Sequence, residues 1–212
     1  LMKISRRTLG TTAAALLLVA ACTDSGAESP TASGVAGCPT AQPAALGAGE
    51  QREIVMTTSL GEITLLLEAD LSPIAVGNFV ALAECGFYND VIFHRIAYMQ
   101  DGTPFVIQGG DPTGTGMGDP GYKIQDEPVV GDYRRGVLAM ARSAAPNSQG
   151  SQFFIVYQDS MIPSDAVGGY TVFGKITGGL EAVQKIAAAG VDGGASDGKP
   201  ALEAKLGTIT LK

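Results

Sequence analysis

Beyond Ile54 the chain is cut by glycine into short apolar runs, and this segmentation is what most limits the folds open to it. Ile54-Val55-Met56 and Ile63-Thr64-Leu65-Leu66-Leu67 flank Thr58-Ser59-Leu60-Gly61, the pattern of a hairpin. Further β-type runs cover residues 91–96, 105–108, 136–141, 152–157, 170–176 and 206–211. Only two stretches carry a helical period. In the first, Ser72 is placed to cap and Pro73 to occupy the first helical position, Ala75, Phe79, Leu82 and Ala83 recur on one face, and Gly86 can end the helix in the left-handed conformation. The second covers residues 180–188, with Val183 and Ile186 as apolar contacts. About eight short strands with two helices predict a mainly β domain: a closed antiparallel barrel plugged by helices. The pattern alone does not separate this from a sandwich.

The first 21 residues are set apart from that domain. Lys3, Arg6 and Arg7 precede an apolar stretch over residues 9–21, too short to span a bilayer and suited to a secretory signal peptide. Val19-Ala20-Ala21-Cys22 resembles the bacterial lipobox, in which the cysteine thiol is acylated; a plain cleavable signal ending near Ala21 is the alternative. Ser5-Arg6-Arg7-Thr8-Leu9 is also similar to a twin-arginine export signal. Residues 22–51 are rich in Ser, Thr, Ala, Gly and Pro and read as a lipidated cysteine with a flexible linker. Residues 52–212 form the domain. These features place the protein outside the cytoplasm, held to a bacterial membrane through Cys22 alone.

Charge narrows the partners. The chain has a formal charge of −7, and setting aside Lys3, Arg6 and Arg7 leaves the body more acidic still. An acidic body excludes nucleic acid as the natural partner and argues against adsorption to anionic lipid by charge. With Cys22 assigned to lipid, Cys38 and Cys85 remain, and an exported compartment permits them to pair.

Four segments go beyond pattern: Phe93-His94-Arg95-Ile96; the run from Phe105-Val106-Ile107-Gln108-Gly109-Gly110-Asp111 to Gly114-Thr115-Gly116; Met140-Ala141-Arg142 followed by Gln149-Gly150-Ser151-Gln152-Phe153-Phe154; and Tyr170-Thr171-Val172-Phe173-Gly174-Lys175. In this order they resemble the cyclophilins, particularly small bacterial ones, from about Glu53 to Leu211. The resemblance implies an eight-stranded barrel capped by two helices and peptidyl-prolyl cis-trans isomerase activity on an outer-face groove. It implies a monomer acting on proline-containing polypeptides without metal or other cofactor.

The chemistry asks for little more than a groove and a cation. Rotation about the Xaa-Pro bond is slow because C–N resonance sets a barrier of about 20 kcal/mol. A donor to the proline nitrogen helps only when that resonance is lost, near the transition state. Arg95 matches the family's catalytic arginine, with Phe154 and Gln108 as its catalytic companions. Phe105, Val106, Phe154 and Ile162 match the proline pocket; Gln108 and Gln152 match its polar rim, where an amide can bond the moving carbonyl. Ala141 and Arg142 match the strand that binds substrate main chain, with Arg142 where many relatives carry asparagine. Gly114 and Thr115 match the border of the neighbouring subsite, and Tyr170 a rim position. Met161 stands where cyclosporin-sensitive relatives carry tryptophan. His94, the single histidine, is expected to be packed or capped and to face away from Arg95 by strand alternation, because no proton moves in this reaction. Asp111 and Asp119 match no calcium loop, and residues 109–121 match no phosphate loop. Two other classes fit parts of the sequence: a proline-peptide binding or chaperone module of the same fold with little catalysis, and a solute-binding lipoprotein. Intact Arg95, Gln108 and Phe154 disfavour the first, and the hairpin-rich single domain disfavours the second.

Overall fold

The computed structural model describes residues 35–99, 101–162 and 168–212. Cys22, the signal segment, Gln100 in the loop before Phe105 and residues 163–167 lie outside them. The elements in chain order are β1 (Gln51–Thr58), β2 (Gly61–Glu68), α1 (Pro73–Glu84), β3 (Arg95–Tyr98), β4 (Pro104–Gly109), β5 (Val137–Met140), β6 (Phe153–Val156), β7 (Val172–Gly178), α2 (Leu180–Ala189), β8 (Asp197–Gly198) and β9 (Leu206–Leu211).

The fold is mainly β, and the expected count of eight strands is corrected. Among the described residues the antiparallel sheet has nine strands, and its order β8-β3-β4-β6-β5-β7-β2-β1-β9 leaves two edges. The expected strand over 91–96 splits. Asp90 stands at φ 66°, Ile92 makes only an isolated bridge to Lys205, and regular pairing begins at Arg95. Two-residue β8 takes the edge of β3, while backbone bonds from Leu206 N to the Val91 carbonyl (2.7 Å) and from Phe93 N to the Ala204 carbonyl (2.9 Å) stitch the start of β9 to residues 91–93.

Strand alternation gives the sheet two apolar faces. Ile54, Met56, Ile63, Leu65, Leu67, Ile96, Ile107, Leu138, Met140, Phe153, Ile155 and Phe173 point inward and meet Phe79 of α1 and Val183 and Ile186 of α2. Phe79 lies within 5.4 Å of both Phe153 and Phe173, ring centre to ring centre. On the opposite face Ala97, Val106, Ala139, Phe154, Val156 and Val172 form a second buried cluster with Tyr133.

Ser72 precedes α1 as expected but does not cap it. Its hydroxyl donates instead to the Val172 carbonyl at 2.7 Å. The cap comes from far along the chain: the Glu127 carboxylate accepts from Ile74 N and Ala75 N, both at 2.8 Å. Gly86, at φ 78°, follows the end of the helix.

Within the described part of the expected linker, residues 35–51 lie against the domain. Leu46 N donates to the Pro73 carbonyl, Gln125 N to the Gln42 side chain, and Gly49 N to Asp70. A Cβ at residue 77 would sit 2.3 Å from the Ala44 carbonyl oxygen, so only glycine lets this segment approach α1 so closely. Cys38 and Cys85 are joined as a disulfide, which fastens the segment to the C-terminal end of the helix.

Candidate active site

The outer face carries one row of side chains across five strands. The register pairs Arg95 with Gln108, Gln108 with Phe154, Phe154 with Ala139, and Ala139 with Val172. Because neighbours in such a row share a face, a cation, an amide and an aromatic ring stand side by side without any loop placing them. Val106 and Ala97 belong to the next row on the same face.

A groove runs over these rows. Arg95, Phe105, Val106, Gln108, Gly114, Thr115, Ala141, Arg142, Phe154, Ile162 and Tyr170 all line it. Two other expected residues do not. Gln152 sits behind the groove. Met161, 94 % exposed, turns into solvent beside a neighbouring depression, while Ile162 lines the groove.

A directed chain of hydrogen bonds holds the polar end. Arg95 Nη1 donates to Gln108 Oε1 at 2.9 Å, Gln108 Nε2 donates to Gln152 Oε1 at 2.8 Å, and Gln152 Nε2 donates to the Gly116 and Gly118 carbonyls at 3.0 and 2.9 Å. Both glutamines expected at the rim are thus committed to fixing Arg95. The loop they hold is shaped by buried Asp111, whose carboxylate accepts from Thr113 N, Thr113 Oγ1, Gly116 N and Gly118 N. Burial alone would raise the Asp111 pKa, but these bonds outweigh it and hold the carboxyl below its usual value. This carboxylate carries Gly114 and Thr115 to the groove edge.

The apolar end is braced from behind. The Phe154 and Tyr170 rings meet edge to face at 5.3 Å, and the Arg142 guanidinium lies 5.2 Å from the Tyr170 ring centre. Arg142 also donates through Nε to the Gly169 carbonyl and through Nη1 to the Ser143 carbonyl. Tyr133 locks Tyr170 in place: its hydroxyl donates to the Tyr170 carbonyl (2.9 Å) and accepts from Tyr170 N (2.8 Å).

His94 is buried, 8 % exposed, yet it borders the groove under Gly116 rather than facing away, because residues 91–94 do not keep strand alternation. Burial depresses its pKa. Sequence reasoning missed Tyr133, Asp197, Gly198 and Lys199. The last three also line the groove. Asp197 lies 102 residues beyond Arg95 in the two-residue strand β8, a segment with no period in the sequence, and only the β3–β8 register brings the two together.

The site is thus an apolar groove on the outer face of an antiparallel sheet, with the Arg95 guanidinium held at its polar end by a chain of hydrogen bonds. The model of the cyclophilin type peptidyl-prolyl cis-trans isomerase/CLD family matches residues 53–210, and the chain belongs to that family. It is 42 % identical over 179 residues to a probable peptidyl-prolyl cis-trans isomerase B of Mycobacterium tuberculosis, covering 76 % of this chain and 54 % of that protein. The namesake from Mycobacterium leprae is 41 % identical over 173 residues, 74 % of this chain and 55 % of the relative. The chain therefore spans about half the length of the curated relatives it matches. Among solved structures, a Cryptosporidium parvum cyclophilin type peptidyl-prolyl cis-trans isomerase is similar at a TM-score of 0.64 and 34 % identity, over 77 % of this chain and 98 % of that one. A second structure of that protein, described as in the presence of the dipeptide Ala-Pro, gives 0.63 and 35 %, over 76 % and 98 %.

Proposed function

We propose that this chain accelerates cis-trans exchange about Xaa-Pro bonds in proteins outside the cytoplasm and so assists their folding. The observation that carries the reading is the Arg95 guanidinium, held at the rim of a cup made by Phe105, Val106, Phe154 and Ile162. The cup excludes water from the proline ring, and the cation donates to the nitrogen as it pyramidalises. The step breaks no covalent bond, so the reading calls for no metal, nucleotide or other cofactor. Exchange NMR on an Ala-Pro peptide with the full chain in mild detergent tests it. Exchange faster than in free peptide supports the reading. Binding without acceleration would favour a proline-peptide binding or chaperone module.

The same reading places the chain as a monomer on a bacterial membrane, anchored through acylated Cys22. The Cys38–Cys85 disulfide supports an oxidising compartment. The bonds between residues 91–93 and 204–206 support a sheet that behaves as a closed barrel in solution. Cys22→Ser should move the protein from the membrane to the soluble fraction, and an unchanged membrane fraction would overturn the anchor.

A further inference from the structure

Arg95 makes more contacts than the row on the sheet accounts for. Its Nε donates to Asp197 Oδ1 at 2.7 Å and its Nη2 to Asp197 Oδ2 at 2.6 Å, a two-point grip on one edge of the guanidinium. Gln108 takes a third hydrogen at Nη1. A guanidinium has five N–H donors in one plane. Among the described residues three are in use, which leaves one on each Nη, on the side of the fork turned from Asp197. A catalyst that acts through hydrogen bonds formed only near the transition state needs such donors fixed in advance.

The origin of the grip is local. Among the described residues β8 has β3 as its only sheet neighbour. The register sets Asp197 opposite Ala97 and Gly198 opposite Ile96, so Asp197 is diagonal to Arg95 on the same face. At that spacing a long side chain reaches its diagonal neighbour. Tyr98 N bonds to the Ser196 carbonyl, Asp192 N bonds to the Lys199 carbonyl, and Val191 bridges to Pro200, so the turn presenting Asp197 is tied down on both sides. The pair itself is open to water, with side-chain exposures of 41 % for Arg95 and 51 % for Asp197. An ion pair that exposed contributes little to stability, so the fold does not depend on it.

We propose that Asp197 is a positioning residue for the isomerisation: it fixes the plane of the Arg95 guanidinium so that its two uncommitted N–H groups face the substrate. This rests on the isomerase reading above. The carboxylate also offsets part of the arginine charge, which by itself would slow the reaction, so the two effects have opposite signs and activity separates them.

The test is a double-mutant cycle on the full chain, with exchange NMR giving the rate at saturating Ala-Pro peptide and the peptide affinity separately. Asp197→Ala and Asp197→Asn should each lower the saturated rate about five- to tenfold. Affinity and melting temperature should stay near those of the parent, and Asp197→Glu should recover part of the loss. In an Arg95→Ala background, Asp197→Ala should change nothing further. A rate in Asp197→Ala equal to or above the parent's would overturn the proposal, as would the same loss in both backgrounds. An inactive parent would overturn the isomerase reading and this assignment with it, whereas an active parent insensitive at Asp197 would overturn the assignment alone.

Discussion

Arg95 and Gln108 face each other across β3 and β4, and the guanidinium donates to the amide oxygen at 2.9 Å. The amide nitrogen of Gln108 donates in turn to Gln152 Oε1, which turns its oxygen toward Arg95. The cation is thereby oriented from the sheet side as well as from the β8 side.

Arg95→Ala should therefore remove most of the isomerase rate while leaving the fold intact, since Arg95 belongs to neither buried apolar cluster. Arg95→Lys should recover little, because a point charge on a flexible stem cannot satisfy a carboxylate edge and an amide together. Gln108→Leu should lower the rate by a smaller factor. Exchange NMR with circular dichroism on each variant checks this; full activity in a folded Arg95→Ala protein would refute the assigned role.

Glu127 is the acceptor for the first turn of α1, a role expected of Ser72. Glu127→Ala leaves Ile74 N and Ala75 N without their acceptor, and should cost about 1–2 kcal/mol in urea unfolding. Glu127→Gln should recover only part of this, because its amide nitrogen would meet one N–H as a donor. Ser72→Ala tests the other half of the exchange: it should also destabilise, through the buried Val172 carbonyl rather than through the helix cap.

These cases show what the sequence could carry. The periods of α1 and α2, the β1–β2 hairpin turn and β9 were legible because each depends on residues close together in the chain. The cup was legible through the family resemblance, which supplied Phe154 and Arg95 as a set. What pairs at long range was not. Ser72 has the local pattern of a cap, but Glu127, 53 residues beyond Ile74, outcompetes it. Asp197 and Tyr133 are polar residues in segments with no period, and their roles come from strand register and from a backbone contact with Tyr170. The loose composition of residues 35–51 reads as a tether, yet Gly77 opens a seat for it and Cys38 fixes it there.

Ile162 lines the groove and Met161 does not. Ile162→Ala should weaken peptide binding about five- to tenfold through lost apolar contact, whereas Met161→Ala should change it less than about twofold, since a solvent-facing side chain has little apolar contact to lose. Cyclosporin should bind the parent at roughly micromolar strength or weaker, for want of the indole donor and flat face. Titration calorimetry reads all three. Nanomolar cyclosporin binding would show that the pocket is completed by another residue.

Reducing the Cys38–Cys85 bridge should lower stability by about 2–4 kcal/mol, as expected for a link across a separation of 47 residues. The loss should be visible as a lower melting temperature with reductant. Hydrogen exchange should rise first in residues 42–46 and on the face of α1 that bears Gly77. Exchange unchanged there would mean that the backbone contacts of Leu46 and Gly49 hold the segment without the disulfide.

His94 sets an acid limit on stability without setting one on chemistry. Its ring is buried beside the groove, and burial lowers its pKa below the ordinary 6.5; nearby Asp111 pulls the other way, while Arg95 adds to the lowering. The folded state thus binds the proton less readily than the unfolded chain. Its stability contribution is complete above the unfolded value and is lost as pH falls through about 6.5 toward the folded pKa. Urea midpoints measured at about pH 5.5 and 7.5 should therefore fall more steeply toward acid in the parent than in His94→Gln. Isomerase turnover per folded molecule should not follow that titration, because no proton is transferred in the step. Parallel losses in the two proteins would assign the acid sensitivity to the carboxylates. A turnover that titrates with His94 would instead give the imidazole a part in the reaction that its buried position beneath Gly116 argues against.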